Sequence, residues 1–454
     1  MNTTDIRLPQ VAQKLASDEW PLADYINHCL SNIEAREAAV CALLPEANRR
    51  EHLLREADAL CKKYPNPQQR PPLFGILVGV KDLFHVDGFA TRAGSALPSN
   101  LFSGPEAAVV SLLKNAGALM LGKTVTTEFA FMEPGPTRNP HNLKHTPGGS
   151  SSGSAAAIAC HFCSLSLGTQ TIGSISRPAA YCGVVGFKPS YEQISRDGVV
   201  PFSHSADHIG FFTHSVAGAG YVAPLLCRNW SKNHSQSPLQ KPMVPPQKST
   251  SPAQKPVLGI PQGAYLAQTD SEALQHFETV VARLEQHGYP ILRIPLFCTV
   301  QEIETINLIH RSMITAELAE FHRPWFSQHE NLYRAGTRDS ISKGLTITKD
   351  ELRKNIENRF TLREQIQKTM LDNKVDLWIA PSAVGTAPEG LAFTGSPVMN
   401  LPWTHAGLPT ISIPSGIAPN NLPYGLQIIG AFQNDAQLLT WSEDIETQLV
   451  SSHF

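Results

Sequence analysis

The sequence predicts an α/β protein built on a layered sheet. Residues 76–121 read as strand, helix, strand, and a second α/β alternation resumes after residue 257. A chain of 454 residues with 42% hydrophobic content has ample material for a large core, and enzymes of this size can fold around one sheet.

Taken in order, residues 21–37 and 46–64 are rich in Ala, Leu, Glu and Arg at helical spacing and predict N-terminal helices that wrap the core. Residues 76–80 form a short apolar run ending at Lys81, a buried strand; 106–116 follow at helix period, and 118–121 form the next apolar run. Residues 152–159, S-G-S-A-A-A-I-A, have side chains small enough for a helix packed tightly on a sheet, starting directly after a cluster of serines. Residues 231–256 break the pattern with six prolines, four lysines and no Asp or Glu, so this segment is expected to be a flexible surface insertion. Beyond it, 257–260, 291–294, 377–380, 410–413 and 424–429 read as strands, and 271–287, 300–327, 349–371 and 435–449 as helices. The expected organisation is a helical wrap over 1–70, a core carrying the glycine–serine motifs over 71–230, the insertion over 231–256, and the rest of the α/β fold over 257–454.

With 37 basic against 39 acidic residues the chain has no electrostatic pull toward nucleic acid or an anionic membrane, so a small, roughly neutral substrate is expected. The first residues lack a signal-peptide layout, and no run approaches the roughly 18 apolar residues of a membrane span. A cytoplasmic protein is the expectation. Eight cysteines are scattered without a disulfide framework, and C-H-F-C at 160–163 lies in an apolar stretch with no second C-x-x-C. These two cysteines are read as buried thiols, and neither metal nor cofactor is expected.

The chemistry is concentrated in three places: Lys81 in G-V-K-D, residues 146–153 (T-P-G-G-S-S-S-G) and residues 168–174 (G-T-Q-T-I-G-S). A serine hydroxyl is a poor nucleophile without a neighbouring base and donors aimed at the tetrahedral oxyanion. Glycine around position 173 lets backbone N–H groups face a carbonyl oxygen beside Ser174, although a Gly-Ser pair alone is more often a turn. A phosphate cradle is the main rival from residue types, but the spacing does not match G-x-x-x-x-G-K-[ST]. Lys81 closes an apolar run, where burial would lower its pKa and make the amine a usable base. His85, His145 and His208 beside Asp207 are the histidine candidates. None sits in a G-x-S-x-G elbow, which leaves Ser-Lys chemistry ahead of a Ser-His-Asp arrangement.

Together with T-R-N-P at 137–140, S-A-D-H-I-G at 205–210, G-S-I-S-R-P-A-A-Y-C-G-V-V-G-F-K-P-S through 190, and G-L-P-T-I-S-I-P and G-L-Q-I-I-G near the C-terminus, these motifs resemble the amidase signature family over nearly the whole chain. The resemblance implies a single large mixed, mostly parallel sheet covered by helices on both faces. It also implies a Ser, cis-Ser, Lys triad. By register the relay serine is Ser150, the first after the paired glycines, the nucleophile is Ser174 and the base is Lys81, which leaves Ser151 a structural part. Oxyanion donors are expected from the backbone at Thr171, Ile172, Gly173 and Ser174, and an apolar pocket wall from Phe131 and Met132. The chain departs from the family's common pattern at Gln170 (Asp), Ile172 (Gly) and Ser176 (Arg). Loss of both acid and base fits removal of one salt bridge, and Ile172 is expected to narrow or redirect the pocket.

Two activities follow from the resemblance. The first is a stand-alone amidase acting on a small carboxamide, acylamide or urea-like C–N bond; the alternative is the glutaminase component of a tRNA-dependent amidotransferase, its A chain, which works with partner subunits. The departures and the insertion favour the stand-alone enzyme, for which a homodimer is allowed. Retention of all three triad residues weighs against a catalytically inert scaffold.

Overall fold

The structure is a computed structural model, and it describes residues 7–228, 230 and 255–450. Most of the insertion expected at 231–256 lies outside the described residues. Ten strands form one sheet: β1 (Leu77–Lys81), β2 (Leu119–Thr124), β3 (Leu165–Gln170), β4 (Val185–Lys188), β5 (His208–Thr213), β6 (Leu258–Gln262), β7 (Ile291–Pro295), β8 (Leu377–Pro381), β9 (Thr410–Ile417) and β10 (Pro423–Ile429). Their order is β2-β1-β3-β5-β4-β9-β10-β8-β6-β7. The strands read from apolar runs are present, and so are the helices at Leu22–Val40, Arg49–Lys63, Ala108–Asn115, Ser152–Ala159, Ser271–Gln286, Val300–His322, Lys349–Asn373 and Asp435–Val450. Three strands, β3, β4 and β5, are not legible as runs, because glycine and serine interrupt them.

The sheet is mixed, as expected, but parallel pairs do not dominate it. Parallel pairing holds β2, β1 and β3 together at one end and β8, β6 and β7 at the other, whereas every pair from β3 through β5, β4, β9 and β10 to β8 is antiparallel. Connection length bears on some of these pairs. Parallel neighbours need a crossover long enough for a helix, which Ala108–Asn115, Ser152–Ala159 and Ser271–Gln286 supply. β9 and β10 are joined by a short turn, which permits only a hairpin.

Two features of this architecture position the site. The parallel trio places the C-terminal ends of β1 and β3 on one edge, with Lys81 ending β1 and β3 running on beside it to Gln170, at the strand ends where open α/β sheets put their ligands. Helix Ser152–Ala159 packs on β1, β3 and helix Ser176–Cys182, bringing its preceding serines to the same edge. Gly153 makes this approach feasible. A Cβ there would lie 2.2 Å from Ala42 O and 2.4 Å from Val125 N, both backbone atoms that cannot yield. On the other face, helices Val216–Leu226 and Asp435–Val450 pack against each other and on β5 and β9, closing the second layer.

Candidate active site

Lys81 is the last residue of β1 and is fully buried. Its Nζ lies 2.8 Å from Ser150 Oγ, 3.0 Å from Ser151 Oγ and 2.7 Å from Thr169 Oγ1. Among the described residues it forms no ion pair with a carboxylate. Burial therefore holds its pKa well below the ordinary lysine value, opposed only by the more distant charge of Asp207. Ser151 donates its hydroxyl to Thr169 O at 3.1 Å, so it can only accept from Lys81.

Ser150 follows a cis Gly149–Ser150 peptide bond, and Arg177 Nη2 donates to Gly149 O at 2.5 Å. The same guanidinium donates to Gly395 O at 2.6 Å and Thr394 Oγ1 at 3.2 Å, and burial pushes its pKa down to about 10. Ser174 sits on the segment between β3 and helix Ser176–Cys182, joined to the serine cluster by a 3.4 Å bond from Ser151 N to Ser174 O. Of the three expected triad residues it is the most solvent-accessible, at 7% against 1% for Ser150 and 0% for Lys81. That order suits a nucleophile at the surface of a site with its base behind it.

The expected oxyanion segment is held from behind. Thr171 Oγ1 donates to Asp207 Oδ1 at 2.6 Å, while Asp207 Oδ2 accepts from the N–H groups of Phe202 (2.8 Å) and Ser203 (2.9 Å). Burial raises the pKa of this carboxyl above the ordinary aspartate value, and those donors oppose the rise. Thr171 O meets His310 Nε2 at 3.0 Å, and Ile172 O accepts from Thr404 Oγ1 at 2.6 Å. Among the described residues the N–H groups of Ile172, Gly173 and Ser174 have no protein acceptor. A Cβ on Gly173 would stand 2.3 Å from Asn400 Oδ1, so the close approach of Asn400 requires glycine here.

The three departures from the common family pattern have structural accounts. Gln170 Oε1 accepts from Ile175 N (2.7 Å) and Ser176 N (2.9 Å), and its Nε2 donates to Thr404 Oγ1 at 2.9 Å. Hydrogen bonds from a neutral amide thus stand in place of the salt bridge whose removal was expected, and Arg177 is engaged with Gly149 and Gly395. Ser176 Oγ is buried without a partner among the described residues. Ile172 packs between the two large apolar clusters, so its side chain fills core. Phe131 is half-buried with its ring 5.2 Å from that of Phe202, while Met132 is 56% exposed. Both follow Thr127, whose N–H donates to Ser150 O at 3.3 Å.

Two of the histidine candidates are engaged elsewhere. His208 Nδ1 pairs with Ala206 O and His145 Nδ1 with Ala387 O, and the carboxylate beside His208 is committed to Thr171. Cys160 and Cys163 are buried thiols whose pKa burial raises to about 12. No group of His, Cys, Asp and Glu that could hold a metal occurs among the described residues. No described helix is long and apolar enough to cross a membrane.

The Amidase family profile matches residues 24–439. The chain belongs to the amidase family. It is 31% identical to the A component of the glutamyl-tRNA(Gln) amidotransferase of Wolbachia pipientis subsp. Culex pipiens (strain wPip), with 87% of this chain and 86% of that protein covered. Among solved structures it is similar to an amidase at 29% identity and a TM-score of 0.84, covering 98% of this chain and 100% of the other. It is also similar, at 25% identity and a TM-score of 0.82 with 97% and 98% covered, to a chain from a vestigial complex that bears on the origins of an s-triazine catabolic enzyme. This amidase-family chain therefore shares both sequence and fold with its relatives along nearly its whole length.

Thr169, Thr404 and His310 were not among the expected site residues, and Asp207 was weighed only as a partner of His208. Thr169 and Arg177 carry a local signal, since they lie within the glycine–serine motif and its continuation. Thr404 and His310 carry none: they meet the loop across separations of 232 and 139 residues.

Proposed function

We propose that this chain is an amidase that hydrolyses a small carboxamide, acylamide or urea-like C–N bond through a Ser174 acyl-enzyme, with Ser150 and Lys81 as proton relay. The observation that carries this reading is a buried lysine with no carboxylate partner among the described residues, its Nζ 2.8 Å from the hydroxyl of Ser150. A neutral amine has two N–H donors and one lone pair. Ser151, whose own proton goes to Thr169 O, takes one donor and Thr169 Oγ1 takes the other. The lone pair is left for the proton of Ser150, which in turn accepts the proton of Ser174 as it attacks the amide carbon. The oxyanion is received by the backbone N–H groups from Thr171 to Ser174, the proton returns to the leaving nitrogen, and water repeats the sequence in reverse to release the acid. Phe131 and Met132 flank this site as apolar contacts for the substrate.

The test is ammonia release from a panel of amides, ureas and glutamine by the isolated chain, with fluorophosphonate labelling of Ser174. Labelling at Ser174 and loss of hydrolysis in Ser174→Ala are expected; full hydrolysis by Ser174→Ala would sink the nucleophile. The likeness to the A component of an amidotransferase supports a second reading, a glutaminase that delivers ammonia to partner subunits. Glutamine hydrolysis appearing only when such partners are added would establish that reading in place of the stand-alone enzyme.

A further inference from the structure

We propose that His310 and Thr404 are positioning residues of this site: they hold the two peptide units whose N–H groups receive the oxyanion, and His310 does so as the end of an Asn358–His405–His310 hydrogen-bond chain. This rests on the reading of Ser174 as nucleophile and extends it to residues outside every motif of the sequence.

A trans peptide is planar, so its C=O and the following N–H point in opposite directions. Fixing the carbonyl of Thr171 therefore fixes the N–H of Ile172, and fixing the carbonyl of Ile172 fixes the N–H of Gly173. His310 Nε2 holds the first carbonyl at 3.0 Å and Thr404 Oγ1 the second at 2.6 Å. The Thr404 proton has a single direction available, because its oxygen already receives Gln170 Nε2 at 2.9 Å. Gln170 Oε1 meanwhile holds the N–H groups of Ile175 and Ser176, so one buried amide ties both ends of the segment that carries Ser174.

The proton positions behind His310 follow from its partner. A carbonyl only accepts, so His310 carries its proton on Nε2. Its Nδ1 lies 3.0 Å from His405 Nδ1, and one of the two must donate. With His310 neutral, His405 is the donor at Nδ1, and its Nε2 becomes an acceptor. The Asn358 carboxamide, whose Oδ1 stands 3.1 Å from that Nε2, must then be flipped so that Nδ2 donates. A second proton on either ring is opposed by burial and by Arg359, whose Nε donates to His405 O at 3.0 Å. Both imidazoles are held far on the neutral side: burial pushes His310 down to about 3 and His405 well below its ordinary value. An imidazole pair buried this deeply is retained at a desolvation cost that two apolar residues would avoid. Among the described residues, the side chains of this pair meet the proposed oxyanion segment at the carbonyl of Thr171.

Four variants test this. His310→Phe removes the donor and keeps the bulk, whereas His310→Gln can place an amide N–H near the Nε2 position; Thr404→Val and Thr404→Ser do the same at the second carbonyl. The readouts are kcat and KM on the amide from the panel that releases ammonia fastest, the rate of Ser174 labelling by a fluorophosphonate, and the thermal midpoint. H310F and T404V are expected to lower kcat and the labelling rate by about 10- to 100-fold with little change in KM, less than the roughly 10²–10³-fold cost of deleting a donor outright. H310Q and T404S are expected to recover most of that loss. The inference is overturned if folded H310F and T404V react at the wild-type rate, or if each loses activity only in proportion to folded protein and its conservative partner restores nothing. Should H310F fail to fold, T404V against T404S and H310Q against His310→Asn, whose shorter amide cannot reach Thr171 O, decide the matter. Wild type labelled at Ser174 alongside a fast H310F refutes this inference alone; hydrolysis surviving in Ser174→Ala refutes the nucleophile on which it rests.

Discussion

Replacing Lys81 by Met removes the amine and keeps most of the side-chain volume. Lys81 Nζ is the basic group in contact with Ser150, so kcat/KM is expected to fall by about 10²–10⁴-fold, the usual contribution of a positioned acid–base group. The same variant reports on the ionisation of the lysine through stability. Burial lowers the folded-state pKa well below that of the unfolded chain. Between those two values the unfolded chain holds a proton that the folded protein has released, so wild-type stability rises with pH by about 1.4 kcal/mol per unit. Above the unfolded value of 10.5 both states are neutral and the dependence stops; below the folded value both are charged and it stops again. Lys81→Met lacks this linkage. Wild type should therefore gain on the variant as pH rises from the lowered folded value toward 10.5. A constant offset of roughly 1 kcal/mol per lost hydrogen bond accompanies it, because Ser151 and Thr169 each lose a donor. Urea unfolding of both proteins at a series of pH values measures the gap, and initial rates measure the activity limb. A gap that stays constant across this window would show that the buried amine is not deprotonated on folding. An alkaline rise in kcat/KM that survives in Lys81→Met would show that another group is the base.

Other substitutions probe the surrounding groups. Gly173→Ala places a methyl 2.3 Å from Asn400 Oδ1, and Asn400 is itself fixed by bonds to Ser382 O and Gln427 Oε1, so activity should drop sharply. The further change Asn400→Ala should restore part of it, and recovery of nothing would mean that the clash is not the cause. Gln170→Leu leaves the N–H groups of Ile175 and Ser176 without their acceptor and should cost about 2–4 kcal/mol of stability, read as a lower urea midpoint. An unchanged midpoint would show that these groups find other partners. Asp207→Asn removes the charge that raises the Lys81 pKa, so the activity limb should move to lower pH; a shift upward would contradict the electrostatic account.

Legibility in the sequence followed locality. Apolar runs of strand length gave β1, β2, β6, β7, β8, β9 and β10, and helical periodicity gave the long helices close to their observed limits. β3, β4 and β5 escaped because L-S-L-G-T-Q, V-G-F-K and H-I-G-F-F-T are broken by small and polar residues that a sheet buried on both faces accommodates. The balance of parallel and antiparallel pairs escaped because it depends on which strands become neighbours. Strand propensity does not specify that.

At the site the division is similar. Residue type and order marked Lys81 and the two glycine–serine loops as the candidate chemistry, and the resemblance to the amidase signature family implied Lys81, Ser150 and Ser174 as the expected triad. Only the tertiary structure decided the electrostatic state of that unit: the parallel pairing of β1 with β3 drives Lys81 into a dry edge where its partners are hydroxyls. It also decided how the proposed oxyanion loop is held, through His310, Thr404 and Asp207, none of which neighbours the loop in the chain. Side-chain type sets what a group can do, whereas burial and the partners it meets set its ionisation and direction, and those come from residues brought together by folding.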